Sequence, residues 1–352
     1  MKKLSQSLWF NVLLILSLTA FGLVIALYDS YTEALNTLLS IKLDRLVLIM
    51  MYGILQYFVW GYILMIMARQ IEPKYRFRQG LTNAFVGGFM SGITPSSTGG
   101  QVVQISTYKR QGLTTFQGAG LIWMDYFMYS VALVCLTLIL YLFQFQNFNH
   151  SSITFIFGLG LFINVLIILV LGLMVKYPNF AKKTGAWVIQ KITNGSFIKH
   201  KDDWLQQYAE SIEHFHEAMF AVHESKEMLW KLFGLNILRL LLFFSAPIMI
   251  AFITGIQLQL TDLIHLIALA AFVHMANTFV PLPGASGATE SVFVLSFSTV
   301  IGKAAAASTM ILWRFSTFHL VLFIGGIIYL SDRHQHLVKI KKENENEEMV
   351  SE

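Results

Sequence analysis

Long apolar segments alternate with short polar connections along this chain of 352 residues. A helix needs about 20 mainly apolar residues to cross a hydrocarbon core roughly 30 Å thick, so each long run predicts a membrane-spanning helix. The pattern therefore predicts an all-α integral membrane protein. Its six transmembrane helices are expected at residues 8–27, 46–68, 113–143, 153–175, 232–253 and 303–330.

Two further apolar stretches are interrupted by residues that a continuous helix does not tolerate. The first interruption is residues 94–100 (TPSSTGG), and the second is residues 281–287 (PLPGASG). Proline lacks a backbone donor and clashes with the preceding turn, and glycine loosens the chain. Irregular backbone at bilayer depth occurs only where protein or a water-filled cavity covers it. Each interruption therefore predicts the tip of a re-entrant helical hairpin, and the pair predicts the functional centre.

The distribution of basic residues predicts how the chain is oriented. Residues 69–78 carry four bases against one acid, and Lys109 and Arg110 follow the first interruption. Short connections rich in lysine and arginine face the cytoplasm. We therefore expect the first hairpin to open towards the cytoplasm, the second to open towards the outside, and both termini to be cytoplasmic.

The two halves of the chain have matching spacings. Pro95 precedes Asp125 by 30 residues, and Pro283 precedes Arg314 by 31. Because the two hairpins are expected to open in opposite directions, the spacing predicts an inverted repeat, whose axis places a substrate site near the midplane. The expected divisions are a first membrane repeat at 1–175, a cytoplasmic amphipathic insert at 176–230, a second membrane repeat at 231–330 and a cytoplasmic tail at 331–352.

Three of the charged residues within the predicted membrane segments are candidates for the functional site. Asp125 and Arg314 each lie roughly 16–20 Å deep by helical rise, and Glu290 follows the second interruption. A charge at that depth costs at least a few kcal/mol, so each is expected to face the interior of the bundle. Two interpretations stay open for the first two: they pair with each other, or Arg314 binds a lipid phosphate while Asp125 offsets its charge. Glu290 either caps the helix that follows it or faces a cationic headgroup.

Composition supports a membrane protein and excludes some kinds of site. The chain is 55% hydrophobic and only 13% charged, about half the charged share of a soluble domain. Its net charge of +5 comes from bases beside the apolar runs, which favours anionic lipid headgroups at the cytoplasmic face over nucleic acid as partners. The single cysteine, Cys135, excludes an intrachain disulfide and a cysteine metal cluster. No metal and no cofactor are expected.

The interrupted segments carry a resemblance to a known family. Thr94-Pro95 followed by Gly99-Gly100-Gln101, and residues 283–290 (PGASGATE) followed by Arg314, resemble the lysylphosphatidylglycerol synthase transmembrane-region family. That family includes the flippase half of the bacterial multiple peptide resistance factor. The resemblance covers residues 8–330 and implies a lipid translocase for aminoacylated phosphatidylglycerol or a related phospholipid. The expected substrate-binding residues are Thr94, Pro95, Gly99, Gly100, Gln101, Asp125, Pro283, Gly284, Gly287, Glu290 and Arg314.

Other functions stay open at this point. Bifunctional relatives attach a cytosolic catalytic domain, and neither the insert nor the tail is long enough for one, so a stand-alone member without the synthase domain is expected. The alternative is a transmembrane enzyme, or a subunit of a phosphatidylglycerol lysyltransferase, with Asp125 or Glu290 as base. A scaffold for a synthase is a third. Membrane phospholipid is the expected ligand, and a separate aminoacyl-lipid synthase or a second copy of the chain stays open as a partner.

Overall fold

The computed structural model describes residue 17 and residues 31–144, 151–177, 225–277, 280 and 282–351. Every regular element in these ranges is helical, which confirms the all-α prediction for the described part of the chain. The helices are α1 Tyr31–Ser40, α2 Leu43–Ala68, α3 Phe77–Ile93, α4 Thr98–Arg110, α5 Thr115–Phe143, α6 Ser151–Lys176, α7 Lys226–Thr254, α8 Leu260–Asn277, α9 Ala288–Ile301, α10 Lys303–Arg314 and α11 Leu320–Ser351.

Five helical segments of the described residues are long and apolar enough to cross a membrane, so the chain is a multi-pass membrane protein. The set differs from the predicted one. It includes α8, which was predicted as one arm of a hairpin, because its 18 residues are mostly apolar. The predicted span at residues 8–27 lies outside the described residues except for residue 17, as does most of the predicted insert at 176–230. The count of six therefore stays a prediction.

Both predicted helix breaks are confirmed. A 3-10 turn at Pro95–Ser97 separates α3 from α4, and a second one at Pro283–Ala285 separates α8 from α9. Proline stands at the start of each turn, where its missing N–H has no helical partner to lose. The arms of each pair pack side by side, and the two turns contact each other. The two breaks, at Pro95–Ser97 and Pro283–Ala285, are thus far apart in sequence but adjacent in the fold.

The packing of the first half of the fold has counterparts in the second half. Helix α2 packs on α3 as α7 packs on α8, and α4 packs on α5 as α9 packs on α10. Helix α3 contacts α11, and α8 contacts α5 in the equivalent way. Helices α2 and α7 pack directly on each other.

Apolar side chains form two large clusters with polar groups at the border between them. Along α5, Leu121 to Met128 belong to one cluster, whereas Ala132 to Leu140 belong to the other. The first cluster adjoins the basic connections, so it lies at the end predicted to be cytoplasmic. Asp125 and Tyr129 occupy the stretch of α5 where one cluster gives way to the other, and Arg239 lies at the corresponding border on α7, between Leu232 and Leu240.

The last membrane segment is not a regular α-helix throughout. Residues Phe315–His319 form a π-helical segment directly after Arg314, between α10 and α11. Such segments occur often at functional sites because they shift the register of the side chains that follow. Helix α11 then continues to Ser351, so the predicted cytoplasmic tail is helical along most of its length.

Candidate functional site

A cavity of about 440 Å³ lies where the two breaks meet the border between the apolar clusters. Polar and charged residues of α4, α5, α7 and α10 line it, among them Gln101, Asp125, Arg239 and Arg314. Both breaks contribute, through Ser97 from the first and Gly284 from the second.

The first break is held by a side chain of its own. Thr94 Oγ1 donates to the carbonyl of Met90 at 2.7 Å and accepts the N–H of Gly99 at 3.0 Å. The hydroxyl thereby links the last turn of α3 to the first turn of α4, whose N–H groups lack helical partners. Gly100 lies directly against Ser91 and the backbone of α3, so the close approach of the two arms requires its missing side chain.

The second break depends on a glycine with left-handed backbone. Gly284 has a φ of +59°, and the ring of Phe318 occupies the place where a Cβ would lie. Gly287, with a φ of +87°, precedes the first residue of α9. The Glu290 carboxylate accepts the N–H of Gly287 at 2.6 Å and so caps this helix. The capping alternative for Glu290 is therefore confirmed.

Arg314 pairs with Glu290 and not with Asp125. Its Nε donates to Glu290 Oε1 at 2.8 Å, and its Nη2 donates to the Gly284 carbonyl at 3.0 Å and to Ser286 Oγ at 3.3 Å. Glu290 is fully buried and Arg314 is 7% exposed. Both oxygens of the carboxylate and three of the five guanidinium N–H groups therefore have partners within the protein. These partners all belong to the second break or to the helices beside it, so the pair stabilises the break.

Asp125 is bound on one side only. Its Oδ2 accepts the indole N–H of Trp60 at 2.8 Å, whereas its Oδ1 has no hydrogen-bond partner among the described residues. The side chain is 6% exposed and lines the cavity. A buried carboxyl oxygen without a partner carries a desolvation cost, which a cationic or hydrogen-bonding ligand offsets.

Arg239 is the charged cavity residue that the sequence analysis missed. Its guanidinium carbon lies 4.0 Å from the ring centroid of Trp60 and 4.8 Å from that of Tyr129, so two aromatic rings flank the cation. Among the described residues it makes no hydrogen bond and no ion pair. The sequence contained a signal for it, because Arg239 is a charged residue inside the predicted span 232–253. A charge within a span is a candidate functional residue for the same reason as Asp125.

His274 belongs to the aromatic wall of the cavity. Its Nε2 hydrogen-bonds the Tyr129 hydroxyl at 2.9 Å, and the rings of Phe243 and Phe244 pack edge-on against it. The interaction holds the Tyr129 ring in place against Arg239.

Outside the cavity, a polar cluster joins the first pair of arms to the last helix. Arg110 Nε donates to the Asp332 carboxylate at 2.7 Å, which ties the end of α4 to α11. Tyr75 donates to Gln111 in the same region, and burial raises the pKa of its phenol above the usual range. The phenol therefore stays a hydrogen-bond donor at physiological pH.

The structure divides the predicted site residues into two groups. Four of them line the cavity: Gln101, Asp125, Gly284 and Arg314. The others build the breaks, and the cavity lining does not include them: Thr94, Pro95, Gly99, Gly100, Pro283, Gly287 and Glu290. The cavity adds Trp60, Tyr129 and Arg239, which no motif singled out.

Comparison with known proteins agrees with the helical membrane architecture. No curated protein matches the chain. A family model described as the lysylphosphatidylglycerol synthase TM region matches residues 9–325, nearly the whole membrane part, and the chain therefore belongs to that family.

Proposed function

We propose that this protein moves a phospholipid between the two leaflets of the membrane. The observation that carries the proposal is the cavity beside the two breaks. In it, the Arg239 guanidinium and Asp125 Oδ1 have no hydrogen-bond partner among the described residues. Unpartnered charge inside a membrane protein is costly and marks a substrate or ion pathway. A lipid headgroup supplies the missing partners while its acyl chains stay in the bilayer.

The exposure of the lining residues supports lateral access to this cavity. Ser97, Gln101 and Leu282 line the cavity and are also exposed on the protein surface, next to the 68% exposed Val102. These residues mark an opening of the cavity to the protein surface. In a membrane protein an opening beside exposed apolar side chains faces lipid. A headgroup enters through such an opening without its acyl chains leaving the hydrocarbon phase.

The equivalent packing of the two halves supports an inverted repeat with re-entrant hairpins. The pairs α3–α4 and α8–α9 each break at a proline-led turn, and the turns meet beside the cavity. The bases at residues 69–78 and 109–110 flank the first pair, whereas the second pair has a single base, Lys303, beside it; this difference favours opposite openings and cytoplasmic termini. In transporters of this kind, rocking of one repeat against the other exposes a central site to each side in turn.

The family description narrows the substrate. Membership in the lysylphosphatidylglycerol synthase TM region family supports an aminoacylated phosphatidylglycerol, or a related phospholipid, as the lipid that is moved. The guanidinium of Arg239 suits the phosphodiester, because charge-assisted bonds from arginine to phosphate oxygens are strong and frequently bidentate.

A transmembrane enzyme, or a subunit of a phosphatidylglycerol lysyltransferase, is the second candidate. The observation in its favour is the unpartnered Oδ1 of Asp125, since a general base needs such an atom within reach of the substrate. Glu290, the other base considered, has both oxygens engaged by Arg314 and Gly287. Transport uses both the Arg239 guanidinium and the Oδ1 of Asp125, whereas a base role uses Asp125 alone, so the geometry favours transport.

A leaflet assay tests the proposal. The purified chain is reconstituted in liposomes with fluorescently labelled phosphatidylglycerol or lysylphosphatidylglycerol, and a membrane-impermeant quencher reports the outer leaflet. We expect protein-dependent redistribution, slowed at least about tenfold in Arg239→Gln because the charge-assisted phosphate bonds are lost. Arg78→Gln, which changes an exposed arginine outside the cavity, is the matched control and should leave the rate unchanged.

Two results would contradict the transport proposal. One is a redistribution rate equal to that of protein-free liposomes. The other is conversion of the labelled lipid to a different lipid, seen by thin-layer chromatography, which would support the enzyme instead.

A further inference from the structure

Asp125 and Arg239 are opposite charges in one cavity that do not pair with each other. No nitrogen–oxygen distance between them falls within 4.0 Å, although both side chains contact Trp60. Opposite charges attract strongly where water is excluded, because the effective dielectric constant is low. Something in the structure must therefore keep the carboxylate and the guanidinium apart.

Trp60 is placed to do this through two different parts of its side chain. Its indole N–H, which is only a donor, binds Asp125 Oδ2 at 2.8 Å and turns that carboxylate towards the indole. The face of the same ring lies 4.0 Å from the Arg239 guanidinium, and Tyr129 covers the cation at 4.8 Å. Aromatic faces stabilise a cation without consuming its N–H donors, so the guanidinium keeps all five for another ligand.

We propose that Trp60 acts as a spacer that prevents an Asp125–Arg239 ion pair, so that the cavity offers a separated anion and cation to a headgroup carrying both a phosphodiester and an ammonium. The phosphodiester binds the Arg239 guanidinium, and the ammonium approaches Asp125 Oδ1, which has no partner among the described residues. Trp60 is thus a positioning residue that determines headgroup specificity. The inference rests on the proposed lipid transport and specifies the class of lipid.

The decisive variant is Trp60→Phe. Phenylalanine keeps an aromatic face for Arg239 but lacks the N–H donor, so Asp125 is released and pairs with the guanidinium. The probes are phosphatidylglycerol and lysylphosphatidylglycerol, which share the phosphodiester and differ in the ammonium groups, and native mass spectrometry of the full chain in detergent counts bound lipid. We expect Trp60→Phe to weaken binding of both lipids at least about tenfold, because the internal ion pair competes with each headgroup.

A second substitution separates the spacer role from simple damage. In Trp60→Phe/Asp125→Asn the neutral amide no longer forms an ion pair with Arg239, so phosphatidylglycerol binding should return to within about threefold of native. The preference for lysylphosphatidylglycerol should stay lost in the double variant, and Asp125→Asn alone should lose that preference while keeping phosphatidylglycerol. Asp125→Asn alone leaves Trp60 in place, so it tests the ammonium site even where Trp60→Phe folds poorly; an unchanged preference for lysylphosphatidylglycerol in this variant would overturn the inference.

The outcomes distinguish this inference from the proposed function. Unchanged affinities in Trp60→Phe, or failure of the added Asp125→Asn to restore phosphatidylglycerol binding, would overturn the spacer role even if native protein moves lipid. Native protein that shows the expected affinities but redistributes no lipid would contradict transport and leave the spacer role standing.

Discussion

Glu290 and Arg314 lie 24 residues apart in sequence, yet Arg314 Nε meets Glu290 Oε1 at 2.8 Å in the protein interior. The carboxylate also accepts the N–H of Gly287, and the guanidinium also donates to the Gly284 carbonyl. One ion pair therefore connects the first turn of α9, the second break and the end of α10. Such a brace fixes the shape of the break beside the cavity.

The brace predicts a specific pattern of rescue. Arg314→Gln or Glu290→Gln alone leaves a buried charge without its partner and should destabilise the protein by about 3–5 kcal/mol. Glu290→Gln/Arg314→Gln should recover most of that loss, whereas Asp125→Asn/Arg314→Gln should not, because Asp125 bonds to Trp60. Thermal unfolding in detergent, followed by fluorescence-detected size-exclusion chromatography, ranks the single and double variants by unfolding temperature. Equal rescue by Asp125→Asn would show that Glu290 is not the specific partner of Arg314.

Gly284 should be the least replaceable glycine of the second break. Alanine there combines a left-handed φ of +59° with a Cβ about 2.2 Å from the Phe318 ring, so we expect loss of both stability and lipid movement. Gly302 also has a positive φ, +79°, with a ψ of 159°, a combination that is adopted almost only by glycine. It has nothing within 4 Å, so Gly302→Ala should cost backbone strain of about 1–3 kcal/mol and no steric clash.

Gly234→Ala completes the series as a control. Gly234 lies inside α7 with open space around it, and alanine is the better helix former, so stability should stay level or rise by up to about 1 kcal/mol. Unfolding temperatures of the three variants should fall in the order Gly234→Ala, Gly302→Ala, Gly284→Ala. A tolerated Gly284→Ala would mean that the second break does not need this conformation.

The Arg110–Asp332 ion pair predicts a local effect. Both side chains are partly buried, 14% and 20% exposed, and the pair joins α4 to α11 at the end predicted to be cytoplasmic. Asp332→Asn should lower the free energy of unfolding by about 1 kcal/mol or less. Hydrogen exchange should rise in the last turn of α4 and leave the core of α5 unchanged. The exchanged pair Arg110→Asp/Asp332→Arg should restore protection of these amides from hydrogen exchange. If it does not, the faster exchange in Asp332→Asn comes from altered packing and not from the lost ion pair.

Topology is testable by cysteine labelling in a Cys135→Ser background. Cysteines at Asn147 and Gln259 should react with an impermeant maleimide from outside intact cells, and cysteines at Gln70 and Gln190 should react only after permeabilisation. The Cys135→Ser parent, treated with the maleimide before and after permeabilisation, is the control. Labelling of Gln190 from outside would contradict the opposite openings of the two hairpins and the inverted repeat.

The apolar pattern by itself determined the class of protein and the places where helices stop. Runs of apolar residues specify helices in a membrane because the backbone must satisfy its own hydrogen bonds there, and proline with glycine interrupts them locally. The breaks at Pro95 and Pro283 were therefore predictable, as was the burial of Asp125, Glu290 and Arg314 in the interior of the bundle. These are local properties of the chain, set by spacing and residue type.

Only the tertiary structure decided which charge meets which. The matching spacing of the two halves suggested that Asp125 and Arg314 are equivalent residues that could pair with each other. In the structure, Arg314 Nε instead donates a hydrogen bond to Glu290 at 2.8 Å. Trp60 and Arg239 come from α2 and α7, which are far apart in sequence and pack directly on each other. Pairing between side chains depends on distances of a few ångströms between separate helices, and no periodicity along one helix encodes those distances.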